Sequence, residues 1–389
     1  MPGSGREVII VEAVRTPIGR GHPEKGYYRD THPNALLGAV FTEVIERAGI
    51  EPDAVEDVIC GCVQQFGEQG FNVGRNAWLQ AGLPEETPAT TVDRQCGSAQ
   101  QAVNFGAALI AAGVHDVVIG GGVEHMGHVP MGISFKWTDD VGSPWPPELM
   151  ERYDLVPQGI SAELIADHWE IPRSEIDELA VRSHRLAHQA TEEGRFERET
   201  VPFRVNGDTY VSDQGIRPDT SLEALAGLKP AFKPDGKITA GNSSQISDGA
   251  AAVLLMAADK ASELGLTPRA RIVDQTTVGV DPVMMLTGPI PATRKLLERN
   301  GMTMDDIDLV EINEAFAPVV LAWKRELDPD MDRVNVNGGA MALGHPLGST
   351  GARLITTLLH ELERSGQETG LVTMCCGGGL GTGTLIQRI

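Results

Sequence analysis

Several things are scarce in this 389-residue chain, and each scarcity excludes something. There are only five cysteines. That is too few for a disulfide framework at this length and fits a reduced cytoplasmic setting. No run of apolar residues is long enough for a membrane span. The first residues, MPGSGREVIIVEAVRTP, lack the basic flank and long apolar region of a secretory signal. Positive charge is scarce too. With 32 basic and 54 acidic residues the net charge is -22, which argues against nucleic acid and anionic membranes as partners. Neither a G-x-G-x-x-G opening a helix nor a phosphate-binding P-loop pattern is present, so nucleotide binding of those kinds is disfavoured. The cysteines stand as C-x-C and C-C, which is not usual zinc spacing, and no metal is expected.

What is present is an alternation of strand-like and helix-like runs. EVIIVEAV (7–14), DVICGCV (57–63) and DVVIGGGVE (116–124) read as strands. ALLGAVFTEVIERAG (35–49) and GSAQQAVNFGAALIAAG (97–113) read as helices. The pattern implies an α/β fold with a mostly parallel sheet covered by helices. The C-terminal third repeats the order. Ile272 stands against Ile10, Ile307 against Val55, Val336 against Val92 and Leu371 against Val117. Four blocks recurring in one order favour two copies of one unit, with a site at their junction. The stretch 125–250 breaks the alternation. It carries proline- and tryptophan-rich pieces and the helical run PRSEIDELAVRSHRLAHQA, so a substrate-binding insert is expected there. The expected division is 1–124 with 251–269, the insert 125–250, and 270–389.

Three residues carry candidate chemistry. Cys96, in VDRQCGSAQQA, precedes a helix whose unpaired N–H groups and dipole favour a thiolate. An unperturbed thiol is only roughly 3% ionised at neutral pH, so such help matters. His345, in ALGHPLGSTG, is held between Gly344 and Pro346 and suits a base that activates a thiol. Cys375, in TMCCGGG, ends a strand at a glycine loop whose exposed N–H groups, Gly377 among them, suit a developing oxyanion. Asn313, in NEAF, follows an apolar strand and offers either an amide to a site or a helix cap. Cys60, Cys62 and Cys376 are read as core, and His125, His128, His184 and His188 as surface or packing residues.

Taken together these segments resemble the thiolase family along essentially the whole chain. CGS (96–98), NEAF (313–316), GHP (344–346) and C-x-G (375–377) match that family's motifs in the family's order. The resemblance implies two βαβαβαββ halves in a five-layered α-β-α-β-α sandwich with an inserted loop domain. It implies coenzyme A-dependent cleavage of a 3-ketoacyl-CoA to acetyl-CoA and a shortened acyl-CoA, through an acyl-Cys96. His345 would take the thiol proton, Cys375 would act as acid/base, and Asn313 would hold a water. The N–H groups of Cys96 and Gly377 would form an oxyanion hole. GNSSQISDGAAA resembles the family's coenzyme A segment, which implies pantetheine contacts at Ala240 and Ser244, with Phe316 also lining that site and Arg217 near the nucleotide. Coenzyme A is then a co-substrate, with no tightly bound cofactor, and a homodimer or homotetramer is expected.

The chain departs from the family pattern at Ala99, Gly127 and Gln158, where glycine, serine and methionine are usual. These departures point away from short-chain acetoacetyl-CoA, while VDRQCGSAQQA, SSQISDGAAA and MLTGPIPATR resemble actinobacterial thiolases of lipid and steroid breakdown, which implies a bulky or medium-to-long 3-ketoacyl-CoA. The competing readings are a biosynthetic acetyl-CoA acetyltransferase, a ketoacyl synthase, and an inactive acyl-CoA-binding protein of the same fold.

Overall fold

The computed structural model describes residues 5–136 and 141–389. Twelve named strands and their helices alternate along the chain. The N-terminal half contributes β1 (Val8–Arg15), the two-residue β2 (Gly19–Arg20), β3 (Asp57–Gly61), β4 (Ala89–Val92), β5 (Val117–His125) and β8 (Ser247–Ala257). The C-terminal half contributes β9 (Ala270–Gly279), β10 (Leu309–Ile312), β11 (Thr369–Cys376) and β12 (Leu380–Arg388). They hydrogen-bond in the order β10-β11-β12-β9-β1-β8-β5-β3-β4, with β2 on β8. A separate hairpin joins β6 (Phe203–Val205) to β7 (Asp208–Tyr210).

The internal repeat is visible in the pairings. β3 runs parallel to both β4 and β5, and β10 runs parallel to β11. An isolated parallel bridge from Val310 to Val334 stands where β4 stands in the first half. β8 and β12 are the corresponding antiparallel strands. The expectation of a mostly parallel sheet therefore fails. Among the described residues only the β3–β4, β3–β5 and β10–β11 strand pairs are parallel, and the sheet is mixed. The reason is local for β11 and β12. Gly378 and Gly379 take left-handed conformations (φ 80° and 77°), which turns the chain straight back into an antiparallel neighbour.

Three apolar cores define five layers. Helix Thr350–Ser365 is amphipathic only in part. Leu354, Ile355, Leu358, Leu359 and Leu362 are all buried, against Val103 and Ile110 of helix Ser98–Ala111. This central helical layer is flanked by Ile10, Ile59, Val118 and Leu255 on one side and by Val372, Met374 and Ile386 on the other. The outer face of the first half packs on helices Pro33–Ala48 and Val73–Gln80, through Leu37, Val40, Phe41 and Trp78. The outer face of the second half packs on helices Pro289–Asn300 and Ala317–Leu327, through Leu296, Val320 and Trp323. Helix–sheet–helix–sheet–helix is the expected sandwich. Truncating any one of the central leucines to alanine costs about 2–5 kcal/mol.

Helix Pro33–Ala48 shows how sequence sets element ends. Pro33 occupies its first turn, the His32 ring accepts the Asn34 N–H, and Gly49 (φ 69°) closes it in the left-handed region. Between β5 and β8 the chain leaves the sheet, carrying helices Gln158–His168 and Arg173–Glu192 and the β6–β7 hairpin. Ile165, Ile176 and Leu179 of this excursion join the core of the second half. The sheet regains the chain at Ser247, a few residues ahead of the expected boundary.

Candidate active site

Cys96 lies after β4 and two residues before helix Ser98–Ala111, where Gln95 is forced into the left-handed region (φ 50°). Its sulfur is buried. Two backbone N–H groups converge on it, from Gly377 and from Cys96 itself. Burial outweighs them, and the thiol is pushed up to about 11. The expected thiolate at a helix start is thus corrected. The N–H groups are present, but the sulfur is too far from water to ionise alone.

Cys375 is the last residue but one of β11, paired with Gly381, and its thiol is also pushed well up, first by burial and then by the charge of Cys96 nearby. Cys376 faces the other way and packs under Gly97, whose missing Cβ would stand 2.7 Å from the Cys376 sulfur. Only glycine permits that approach, so Gly97 fixes how closely the two halves meet beside Cys96. Cys60 and Cys62 are buried core residues, as expected.

His345 follows Gly344, whose φ of 109° excludes a side chain. The His345 N–H donates to Ser247 Oγ at 3.1 Å. Its Nδ1 lies 2.6 Å from Thr350 Oγ1, which donates its own proton to Pro346 O at 2.8 Å. Thr350 therefore accepts from Nδ1–H, and Nε2 keeps its lone pair. Nε2 stands 3.3 Å from Asn313 Nδ2. Burial, helped by the charge of Arg353, lowers the imidazole to about 3, so His345 is neutral at physiological pH. Asn313 is not a helix cap, because Phe316 holds that position for helix Ala317–Leu327. Its Oδ1 is buried without a partner among the described residues, which fits an amide waiting on a small polar ligand.

The two halves are tied together here by Glu124. Its carboxylate accepts from Val63 N (2.9 Å), Gln64 N (3.0 Å), Gln69 Nε2 (2.9 Å) and Gly348 N (2.8 Å). Gly348 belongs to the loop that carries His345, so the first half grips the histidine loop of the second. Gly351 packs on Gln100 in the same seam.

The residues expected to hold coenzyme A are only partly gathered. Ser244 donates its N–H to Ala315 O at 2.9 Å, and Ser243 bridges Phe316. The Phe316 ring meets Phe232 edge-on at 5.9 Å. Ala240 is exposed on the turn just before Ser243, whose hydroxyl donates to Thr239 O. Arg217 lies apart and exposed, its N–H donating to His184 Nδ1 at 3.1 Å. Two lysines further along, Lys233 and Lys237, pair with Asp167 at 3.0 and 2.8 Å. His125 and His184 are buried, and His128 is partly buried, stacked on His125 at 4.0 Å.

Sequence reasoning missed Thr350, Ser247, Glu124 and Gln95. Thr350 carried a faint signal, lying within GHPLGST. The others had none, since their roles arise where distant segments meet.

Comparison with known proteins agrees along the whole length. The family model described as thiolase, N-terminal domain matches residues 8–259, and that for the thiolase C-terminal domain matches residues 266–388. A steroid 3-ketoacyl-CoA thiolase of Mycobacterium tuberculosis is 45% identical over 400 aligned residues, covering 100% of this chain and 97% of its own. A 3-ketoacyl-CoA thiolase of Idiomarina loihiensis is 44% identical, covering 99% and 100%. The crystal structure of the Bacillus anthracis acetyl-CoA acetyltransferase superposes with a TM-score of 0.91 at 41% identity, covering 99% of this chain and 100% of that one.

Proposed function

Because the chain belongs to the thiolase family, matched through both of its domains, we propose that it is a 3-ketoacyl-CoA thiolase that cleaves its substrate with coenzyme A to give acetyl-CoA and a shortened acyl-CoA. The observation that carries the site assignment is the convergence of the Gly377 and Cys96 N–H groups on the Cys96 sulfur, which joins two motifs from different halves.

Cys96 attacks the ketone carbon, and its proton passes to His345 Nε2. The N–H groups of Cys96 and Gly377 stabilise the oxyanion; removing one such donor typically costs about 10²–10³ in rate. Collapse breaks the bond between Cα and Cβ and leaves its electron pair on acetyl-CoA as an enolate. The Cys375 thiol protonates that carbon. Asn313 and His345 face the enolate oxygen, with Asn313 holding a water. Coenzyme A then gives its proton to the Cys375 thiolate and attacks the acyl group. Cys96 leaves as thiolate and recovers its proton from His345.

Neutral His345 and a raised Cys96 thiol suit this order, since neither group ionises before substrate arrives. Proton transfer then accompanies attack, and the ion pair formed is mutually compensating in a dry site.

Ser244, Phe316 and Ala240 would line the pantetheine arm, Arg217 would meet the nucleotide, and 125–250 would form the coenzyme A-binding domain. Among the described residues the sheet ends at β4, which pairs on one side only. An open edge of this kind invites a second copy, supporting a homodimer or homotetramer. Coenzyme A serves as co-substrate and no resident cofactor is proposed. No helix among the described residues is long and apolar enough to cross a membrane, and a cytoplasmic location is proposed. The relatives named for 3-ketoacyl and steroid substrates favour degradation of fatty acyl or steroid-derived chains over acetoacetyl-CoA synthesis.

The test is to supply a panel of 3-ketoacyl-CoA esters, from acetoacetyl to steroid side-chain esters, with coenzyme A and to measure acetyl-CoA. Release from longer members, lost in Cys96→Ala, is expected. Folded enzyme that releases none from any ester contradicts the proposal.

A further inference from the structure

The space beside Gly377 is bounded by two side-chain amides. A Cβ placed on Gly377 would stand 2.9 Å from Gln158 Nε2 and 3.2 Å from Gln95 Oε1. The missing Cβ lets both amides close on the glycine, whose N–H meets the Cys96 sulfur. Both amides therefore lie beside the glycine that contacts the Cys96 sulfur, close to where an acyl group on Cys96 would begin.

Each is held in place by its neighbours. Gln95 sits in the left-handed region, its N–H donating to Asp93 Oδ1 at 2.6 Å and its Nε2 to Asp93 Oδ2 at 3.1 Å. With its nitrogen engaged, it can turn only Oε1 to the site. Gln158 opens helix Gln158–His168, followed by Gly159 packed against the Phe232 ring. That packing fixes the Gln158 backbone. Its amide makes no hydrogen bond to any described residue, although the side chain is half-buried.

A plain alkyl chain laid across these groups would strip water from both amides and return nothing. A neutral oxygen on the chain would restore a bond: a ketone accepts from Gln158, and a hydroxyl can also donate to Gln95. The Asp93 carboxylate beside Gln95 disfavours an anionic group at the same place. Sites built to hydrogen-bond an oxygen discriminate against analogues that lack it, because their own polar groups are left unpaired.

We propose that Gln158 and Gln95 are a specificity-determining pair, selecting 3-ketoacyl-CoA substrates whose acyl chain carries a hydroxyl or ketone oxygen a few carbons beyond the reacting carbonyl. This rests on the thiolase reading and names the substrate class of that same site.

The experiment compares kcat/KM for a straight-chain 3-ketoacyl-CoA with its analogues bearing a hydroxyl or ketone two to four carbons beyond the reacting carbonyl. The oxygenated ester is expected to be preferred by roughly tenfold or more, the value of a hydrogen bond in a partly dry site. In Gln158→Met and Gln95→Met the ratio should collapse toward one or invert. The ratio is internal to each preparation, so a general loss of folding or rate does not move it. A wild-type enzyme that prefers the plain chain, or variants that keep the wild-type ratio, overturns the inference while leaving the thiolase reading intact. Cleavage of no ester by the wild type removes both.

Discussion

His345 is held by Thr350: imidazole Nδ1 and hydroxyl Oγ1 are 2.6 Å apart, and the hydroxyl's own proton is committed to Pro346 O. That commitment makes Thr350 an acceptor and leaves the lone pair on the opposite nitrogen, facing Asn313. Tautomer and ring orientation of the base are thus set by a residue that would touch no substrate.

Thr350→Val removes the acceptor at nearly constant shape. We expect kcat to fall about 10–100-fold with KM little changed, since the base is mispositioned rather than lost. Thr350→Ser should recover most of the rate. Steady-state kinetics of the two variants checks this, and a valine variant at wild-type kcat would remove Thr350 from the account.

Even beside neutral His345, burial pushes the Cys96 thiol up to about 11. A raised thiol forms thiolate only as pH climbs toward that value. At pH 7 such a thiol is roughly 0.01% ionised, against roughly 3% for an unperturbed one. At pH 7 attack therefore needs His345 to take the proton as the bond forms, so alkylation of Cys96 by iodoacetamide in His345→Ala should be about 10²–10⁴-fold slower than in wild type, the usual contribution of a positioned base, and should recover as pH rises toward 11. A variant alkylated at the wild-type rate at pH 7 would show that His345 does not take the proton.

Cys375→Ser separates the two halves of the reaction. Acyl transfer from a simple acyl-CoA to Cys96 should persist, while cleavage of the carbon–carbon bond falls about 10²–10⁴-fold, the usual contribution of a positioned acid. Rapid-quench measurement of both steps tests it, and unimpaired cleavage contradicts the acid/base role.

His125 bears on stability rather than catalysis. It is buried, with Nε2 donating to Tyr28 O at 3.0 Å, and burial lowers it to about 4. The unfolded chain takes up a proton near pH 6.5, which the folded chain refuses until about pH 4. The stability that neutral His125 contributes is therefore present above about 6.5 and is lost as pH falls below it. Relative to His125→Gln, the wild type should lose stability between pH 7 and pH 5. Urea midpoints of the pair measure this, and a constant difference would contradict the burial of a neutral ring.

The legible part of the molecule was what lies contiguous in sequence. Helix Pro33–Ala48 was readable from its apolar spacing and Gly49, and the duplicated halves from collinear blocks. The seam was not readable. Strand direction turned on Gly378 and Gly379 closing β11 onto β12, which a strand run does not disclose. Cys96 was expected to be eased toward thiolate by its helix, but ionisation is decided by burial under Gly97, Cys376 and the opposite half. Glu124 looked like a polar end to a strand, and its grip on Gly348 exists only once two sheets are stacked. Gln158 stood out as an unusual residue, yet its relation to Gln95 and Gly377 needed three segments brought together.

The central claim is that Cys96, and neither neighbouring thiol, carries the acyl group. Cys375→Ser enzyme should be incubated with an acyl-CoA, quenched in acid, digested and mapped by mass spectrometry. The account predicts one acyl group per chain, on the peptide containing Cys96, absent in Cys96→Ala. Acylation found on Cys376, or persisting when Cys96 is replaced, would contradict it.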